Sequence, residues 1–266
     1  MFKGIFGERV FKAATLATLI FFVLFFLCLI FSITIYTDPG AILSLLLSKE
    51  VLFAIKLSLI TATITAVISI IIGIPAAYAI SKTEFWGKSV VDTILDLPIV
   101  VSPIALGAAL LVFFNTPLGV AIEEYGIKFV FVVAGIVLAQ FTVVSALCIR
   151  LMKSTFDSIN PRYEDVARTL GCSKFQAFFK VTLPLAKNGL IAAGILTWAR
   201  AIGEFGATVT LAGATALKTE TLPIAIFLSL ATADVEKAMT VILILIAIAM
   251  IALITIRKVI GRGWSI

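Results

Sequence analysis

NPRYEDVARTLGCSKFQAFFKVTLP, residues 160–184, is the one substantial polar segment in a chain otherwise built of long apolar runs. Its local signals describe two short helices. Asn160 can cap a helix start, Pro161 suits the first helical position, and Gly171 can end the helix in a left-handed C′ conformation. Ser173 opens a second helix and Gln176, three residues on, completes a capping box. Leu183-Pro184 is expected to stop that helix before the next apolar run. Tyr163, Val166, Ala167 and Leu170 recur at spacings of three and four along one side of the first helix. Such a face suits either a protein partner or the surface of a bilayer.

Outward from this segment the composition decides the environment. Of 266 residues, 61% are hydrophobic and 14% are charged, against roughly 45–50% and 25% in soluble domains. So few charges cannot cover a soluble surface. The apolar residues form uncharged runs at 13–36, 57–80, 97–122, 129–149 and 238–256, the shortest of them 19 residues. About 20 helical residues cross a hydrocarbon core of about 30 Å. A sixth run at 188–217 is interrupted only by Arg200 and Glu204. The uncharged stretch 221–233 is too short to cross and reads as an extracytoplasmic re-entrant or surface element. The expectation is an all-α polytopic membrane protein forming one domain. Its six spans fall at about 13–36, 57–80, 97–116, 129–149, 188–212 and 238–256, with a polar segment at about 155–184 between the fourth and fifth.

Positive charge sets the orientation. With six spans, 15 of the 21 Lys and Arg residues fall on one side, seven of them between the fourth and fifth spans. Basic loops are retained in the cytoplasm, so both termini are expected there, in a multi-pass protein of the cell membrane. This bias accounts for the net charge of +6 and removes the reason to invoke nucleic acid. The first run is longer than a signal-peptide core and reads as a retained span.

Catalytic and metal chemistry find little support. Histidine is absent, and the three cysteines stand apart, two of them inside apolar runs. Neither a metal site nor a disulfide is indicated, and no cofactor is expected. Gly87-Lys88-Ser89 imitates the end of a Walker A loop, but the first glycine would fall at Lys82. Pro75, Pro98, Pro103 and Pro117 lie in or beside the second and third spans. They imply either kinked helices around a pathway or ordinary packing bends.

With these runs in place, YEDVARTLGCSKFQAFFKVTLP (163–184) resembles the EAA loop of bacterial and archaeal ABC importer permeases. Glu164 matches the acid, Ala167 the small residue, Leu170-Gly171 the Leu-Gly pair, and Leu183-Pro184 the closing pair. Asp165 and Val166 stand where alanine is common. The resemblance implies a coupling helix that docks on a separate ATPase subunit, with Tyr163 and Leu170 seated in an apolar groove and Glu164 and Arg168 at its rim. Tyr163, Glu164, Ala167, Arg168, Leu170, Gly171 and Pro184 are the coupling residues it implies. An amphipathic helix lying on the bilayer is the competing reading.

WARAIGEFGATV (198–209) is similar to a motif of the molybdate, tungstate and sulfate importer permeases. DLPIVVSPIALGAALL (96–111) and KTETLPIAIF (218–227) resemble neighbouring stretches of the same group. The resemblance implies a non-enzymatic permease working by alternating access, as two copies with two ATPase subunits and an external oxyanion-binding protein. Molybdate or tungstate is the expected cargo; sulfate or thiosulfate, or more remotely a stand-alone secondary carrier, is the alternative. Trp198, Arg200, Gly203, Glu204, Phe205 and Gly206 are placed at the pathway or the dimer seam. A charge at the bilayer centre costs roughly 2.5–3.5 kcal/mol, so Arg200 and Glu204, four apart, should pair rather than face lipid. Pathway element and packing pair both fit. On the same helix Ala199, Gly203 and Ala207 form a small-residue row that lets another helix approach closely.

Overall fold

The computed structural model describes residues 2–35, 37 and 39–261. Tyr36, closing the first apolar run, and Arg262, among the C-terminal cations, lie outside the described residues. Those described form helices joined by short turns, with no strand among them. In chain order the helices are α1 (Phe2–Ile35), α2 (Pro39–Leu46), α3 (Lys49–Lys82), α4 (Lys88–Val100), α5 (Pro103–Phe114), α6 (Pro117–Glu124) and α7 (Val133–Asp157). They continue as α8 (Arg162–Thr169), α9 (Lys174–Ala177), a π-helical turn (Phe178–Thr182), α10 (Leu183–Ile202), α11 (Gly206–Ala212), α12 (Leu222–Ala231) and α13 (Val235–Gly261). The all-α membrane architecture follows. Five helical stretches are long and apolar enough to cross a bilayer, and α4 with α5 makes a bent sixth candidate.

Three sequence expectations require correction. The third apolar run is not one helix: α4 and α5 meet at 109° across a break at Val101 and Ser102. Pro103 is the cause, because a residue before proline is driven out of the helical region, and Ser102 is extended at φ −62°, ψ 142°. Ser102 then caps α5, its Oγ accepting the Ala105 N–H at 3.3 Å. The next proline repeats the device, with Thr116 Oγ1 accepting the Gly119 N–H at 3.3 Å before Pro117 in α6.

The run 188–212 is also divided, between α10 and α11, at Gly203–Phe205. Ala199, Gly203 and Ala207 therefore do not share one helix. In the third case, Leu183-Pro184 does not stop the helix begun at Ser173. The chain stays helical from Lys174 to Ile202, because the intervening turn widens so that the Leu183 N–H reaches the Phe178 carbonyl, five residues back. A π turn accommodates proline in the following turn, where an unbroken α ladder would be interrupted.

The interior is a set of shared helix faces. Ala77 and Ile80 of α3 pack with Cys148, Met152 and Phe156 of α7 and with Ala186, Leu190 and Ala193 of α10. Phe114 of α5 joins Ala139 and Val143 of α7 and Ala207 and Leu211 of α11. Leu222 and Ala225 place the first turn of α12 against Val51 and Ala54 of α3 and Val241 of α13. Alanines recur in each of these contacts and let the helices approach closely, with larger side chains filling the space between them. From Val10 to Ile35, the candidate span in α1, no residue is buried within the protomer.

Candidate functional site

Two regions collect the residues singled out in the sequence. The first is the α8–α9 elbow. Asn160 Oδ1 accepts the Arg162 N–H at 3.0 Å and so caps α8. At the other end Gly171 has φ +95°, and the Cys172 N–H reaches the Ala167 carbonyl (3.1 Å) while the Gly171 N–H reaches that of Arg168 (3.0 Å). This is a complete Schellman closure, which a side chain at Gly171 would strain. Ser173 and Gln176 exchange both bonds of the capping box, at 3.2 and 2.9 Å.

These closures hold α8 with Tyr163 (57% exposed), Val166 (58%) and Leu170 (81%) facing outward, whereas Arg168, expected at the rim of that face, stands with Glu164 on the cleft side of the helix. Ala167, expected on the same side, is instead the buried contact of the helix. Glu164, expected at the rim, points inward. Its Oε2 accepts from the Tyr78 hydroxyl at 3.0 Å and its Oε1 from Thr182 Oγ1. The Tyr78 ring meets Phe178 edge-on, with centroids 4.7 Å apart, and meets Phe156 at 5.7 Å. Pro184 lies further along, on the wall of an apolar groove of about 780 Å³ between α3 and α10.

The second region is the break between α10 and α11. Arg200 Nη1 lies 2.8 Å from Glu204 Oε2. The other carboxylate oxygen accepts the Ala207 N–H at 3.1 Å and so serves the start of α11. Gly203 closes α10 and Gly206 opens α11, pressed against α5 so closely that a Cβ would sit 3.0 Å from the Ile104 nitrogen. Phe205 stacks obliquely on Phe227 of α12 at 5.4 Å. Trp198 does not join this group. Its indole N–H donates to Thr63 Oγ1 at 3.0 Å on the α3 side, where both line the apolar groove.

The sequence reading missed three arrangements. Gln140, a lone amide in the fourth apolar run, ties three helices: its Nε2 donates to the Ala201 carbonyl (3.1 Å) and to Thr61 Oγ1 (3.4 Å), and its Oε1 accepts from Thr65 Oγ1 (3.0 Å). Arg150 clamps α4 to α7 through Asp92 (2.7 Å) and Asp96; acids four apart, one turn of helix, were the available signal. Tyr78 and Thr182 carried no signal, being single hydroxyls at the ends of apolar stretches. Among the described residues, no group of three or more metal-ligating side chains comes together.

Comparisons with known proteins agree with this architecture. A probable molybdenum ABC transporter permease protein of Haloferax volcanii is 32% identical over 242 residues, covering 91% of this chain and 88% of the relative. A molybdate/tungstate transport system permease protein, WtpB, of Thermococcus kodakarensis is 35% identical over 176 residues, 66% of this chain and 67% of the relative. The crystal structure of a bacterial alginate ABC transporter, in complex with its alginate-bound periplasmic protein, contains a chain of the same fold. Its TM-score is 0.79 at 16% identity, covering 100% of this chain and 98% of that one. Residues 69–263, which hold the α8–α9 elbow and both helix breaks, match the family described as the binding-protein-dependent transport system inner membrane component, and the chain belongs to that family.

Proposed function

We propose that this permease carries molybdate or tungstate into the cell, working as two copies with two ATPase subunits and an external oxyanion-binding protein. As a member of its family the chain is a transport component and not an enzyme. Hydrolysis belongs to a separate subunit. The cargo rests on the relatives named for molybdenum and for molybdate/tungstate transport, which extend over most of the chain. A dianion moving against an inside-negative potential of 100 mV needs about 4.6 kcal/mol, so an energy source is required to concentrate it.

The observation that carries the mechanism is the outward apolar face of α8, formed by Tyr163, Val166 and Leu170 on a helix fixed at both ends by its own caps. Such a rigid, exposed tip suits a groove on an ATPase. In this reading residues 155–184 and both termini are cytoplasmic, and six spans cross the membrane. The α4–α5 pair makes the third span, and the fifth is built from α10 and α11. Arg200, Gly203, Glu204, Phe205 and Gly206 lie at the translocation path or the dimer seam, with Trp198 on the α3 side. ATP-driven approach of the two ATPases brings the two α8 helices together and opens the pathway outward; hydrolysis resets it.

Reconstitution tests the reading. Proteoliposomes holding the permease, its ATPase and its binding protein should take up molybdate and tungstate only with ATP, with sulfate competing weakly. Uptake by the permease alone would identify a secondary carrier, and a preference for sulfate would move the cargo.

A further inference from the structure

We infer that Glu164 passes the displacement of α8 into the membrane helices, with Tyr78 and Thr182 as its positioning residues. The inference rests on α8 being the ATPase-docking helix. A cleft of about 1020 Å³ opens beneath α8, with Pro75 and Tyr78 on one wall and Pro161 and Arg168 on another. Apolar packing across this gap is sparse, since Ala167 is the buried residue of α8. Glu164 bridges the gap with one carboxylate group whose two oxygens take two different hydroxyls, Tyr78 on α3 and Thr182 on the π turn.

Both anchor points adjoin weak places in their helices. Tyr78 stands three residues beyond Pro75, inside α3. Thr182 closes the π turn two residues before Pro184. Proline removes a ladder hydrogen bond and a π turn widens the helix, so bending concentrates at such sites. A hydrogen bond to a charged acceptor is directional and stronger than one between neutral groups. Shifting α8 along or across its axis therefore loads α3 below Pro75 and α10 above the π turn together. The Tyr78 ring, edge-on to Phe178 and Phe156, adds α7 to the same group.

The test uses the assembled transporter in proteoliposomes, with binding protein and molybdate, and reads anion taken up per ATP hydrolysed. Tyr78→Phe/Thr182→Val keeps the packing and removes both donors. It should retain ATPase co-purification and hydrolysis while uptake per ATP falls at least tenfold, and Thr182→Ser should keep the wild-type ratio. An unchanged ratio in the double variant overturns the inference, as does a parallel fall of hydrolysis and uptake. If the double variant does not accumulate, Thr182→Val against Thr182→Ser decides on the same ratio, equal values overturning the inference. Leu170→Asp separates the two levels. If it leaves ATPase co-purification intact, the docking reading itself fails. If it abolishes co-purification while the double variant stays coupled, only the role of Glu164 fails.

Discussion

Arg200 and Glu204 pair at 2.8 Å across the end of a helix rather than along one, because α10 stops at Ile202 and the chain turns before α11 begins. The Glu204 side chain is 1% exposed and that of Arg200 is 41% exposed. The pair is therefore a buried carboxylate with a half-exposed partner. Removing the arginine leaves that carboxylate with the Ala207 N–H. Loss of a partner from a fully buried pair costs roughly 3–5 kcal/mol, and water reaching this side should reduce the cost to about 2 kcal/mol. Arg200→Ala should accordingly lower the thermal unfolding midpoint in detergent. Exchanging the two charges should not restore it, since an arginine at 204 would set its N–H groups against the Ala207 N–H. Full recovery in the exchanged variant would show that the cap on α11 is immaterial.

Gly171 makes a second prediction through the backbone alone. Its φ of +95° disfavours any side chain, yet an added Cβ would meet nothing within 4 Å. Gly171→Ala should loosen the α8 closure by about 1 kcal/mol without a clash. Gly171→Pro should do more, because it also deletes the N–H that donates to the Arg168 carbonyl. Co-purification of the ATPase should fall in the order wild type, Ala, Pro, with membrane insertion unchanged in all three. Equal recovery of the ATPase would mean that the α8 closure does not govern docking.

The elbow was legible because its signals are local. Asn160, Gly171, Ser173 and Gln176 act within six residues of themselves, and each forms the bond its type suggests. The breaks were less legible because proline acts on its predecessor. Pro103 ends the helix before it, whereas Pro184 is absorbed by a widened turn. The deciding difference lies in the backbone of the preceding turn and not in the dipeptide. The inward turn of Glu164 was hidden for another reason. Its partners lie 86 and 18 residues away, and neither a tyrosine ending an apolar run nor a threonine before Leu-Pro advertises a carboxylate.

Gln140 carries the third prediction. Its amide is 1% exposed and bonds groups on α3 and α10 from α7. Gln140→Leu fills the volume but leaves the Ala201 carbonyl and Thr65 hydroxyl without this partner, a cost of about 1–3 kcal/mol. Thr65→Val alone should cost less, because the Gln140 oxygen is then the one acceptor left open while its donors stay engaged. In the double variant the effects should be less than additive, as residues of one network are. Thermal unfolding of the four proteins in one detergent checks this, and strict additivity would deny the network.

Arg150 completes the set, because its geometry separates arginine from lysine. Its Nη1 reaches the Asp92 carboxylate and its Nη2 the Asp92 carbonyl, both at 2.7 Å, while Nε engages Asp96. Three donors in a fixed fork thus hold one turn of α4 on α7. A lysine ammonium at that position offers a single point and cannot reproduce the fork. The groups are partly exposed, so the loss on Arg150→Lys should be modest, about 1–2 kcal/mol, and smaller in high salt. It should nonetheless lie closer to Arg150→Ala than to wild type. The readout is hydrogen exchange of the α4 amides: both variants should release protection over residues 88–100 while α7 stays protected. A lysine variant with wild-type protection would show that charge alone holds α4, and the fork would be superfluous.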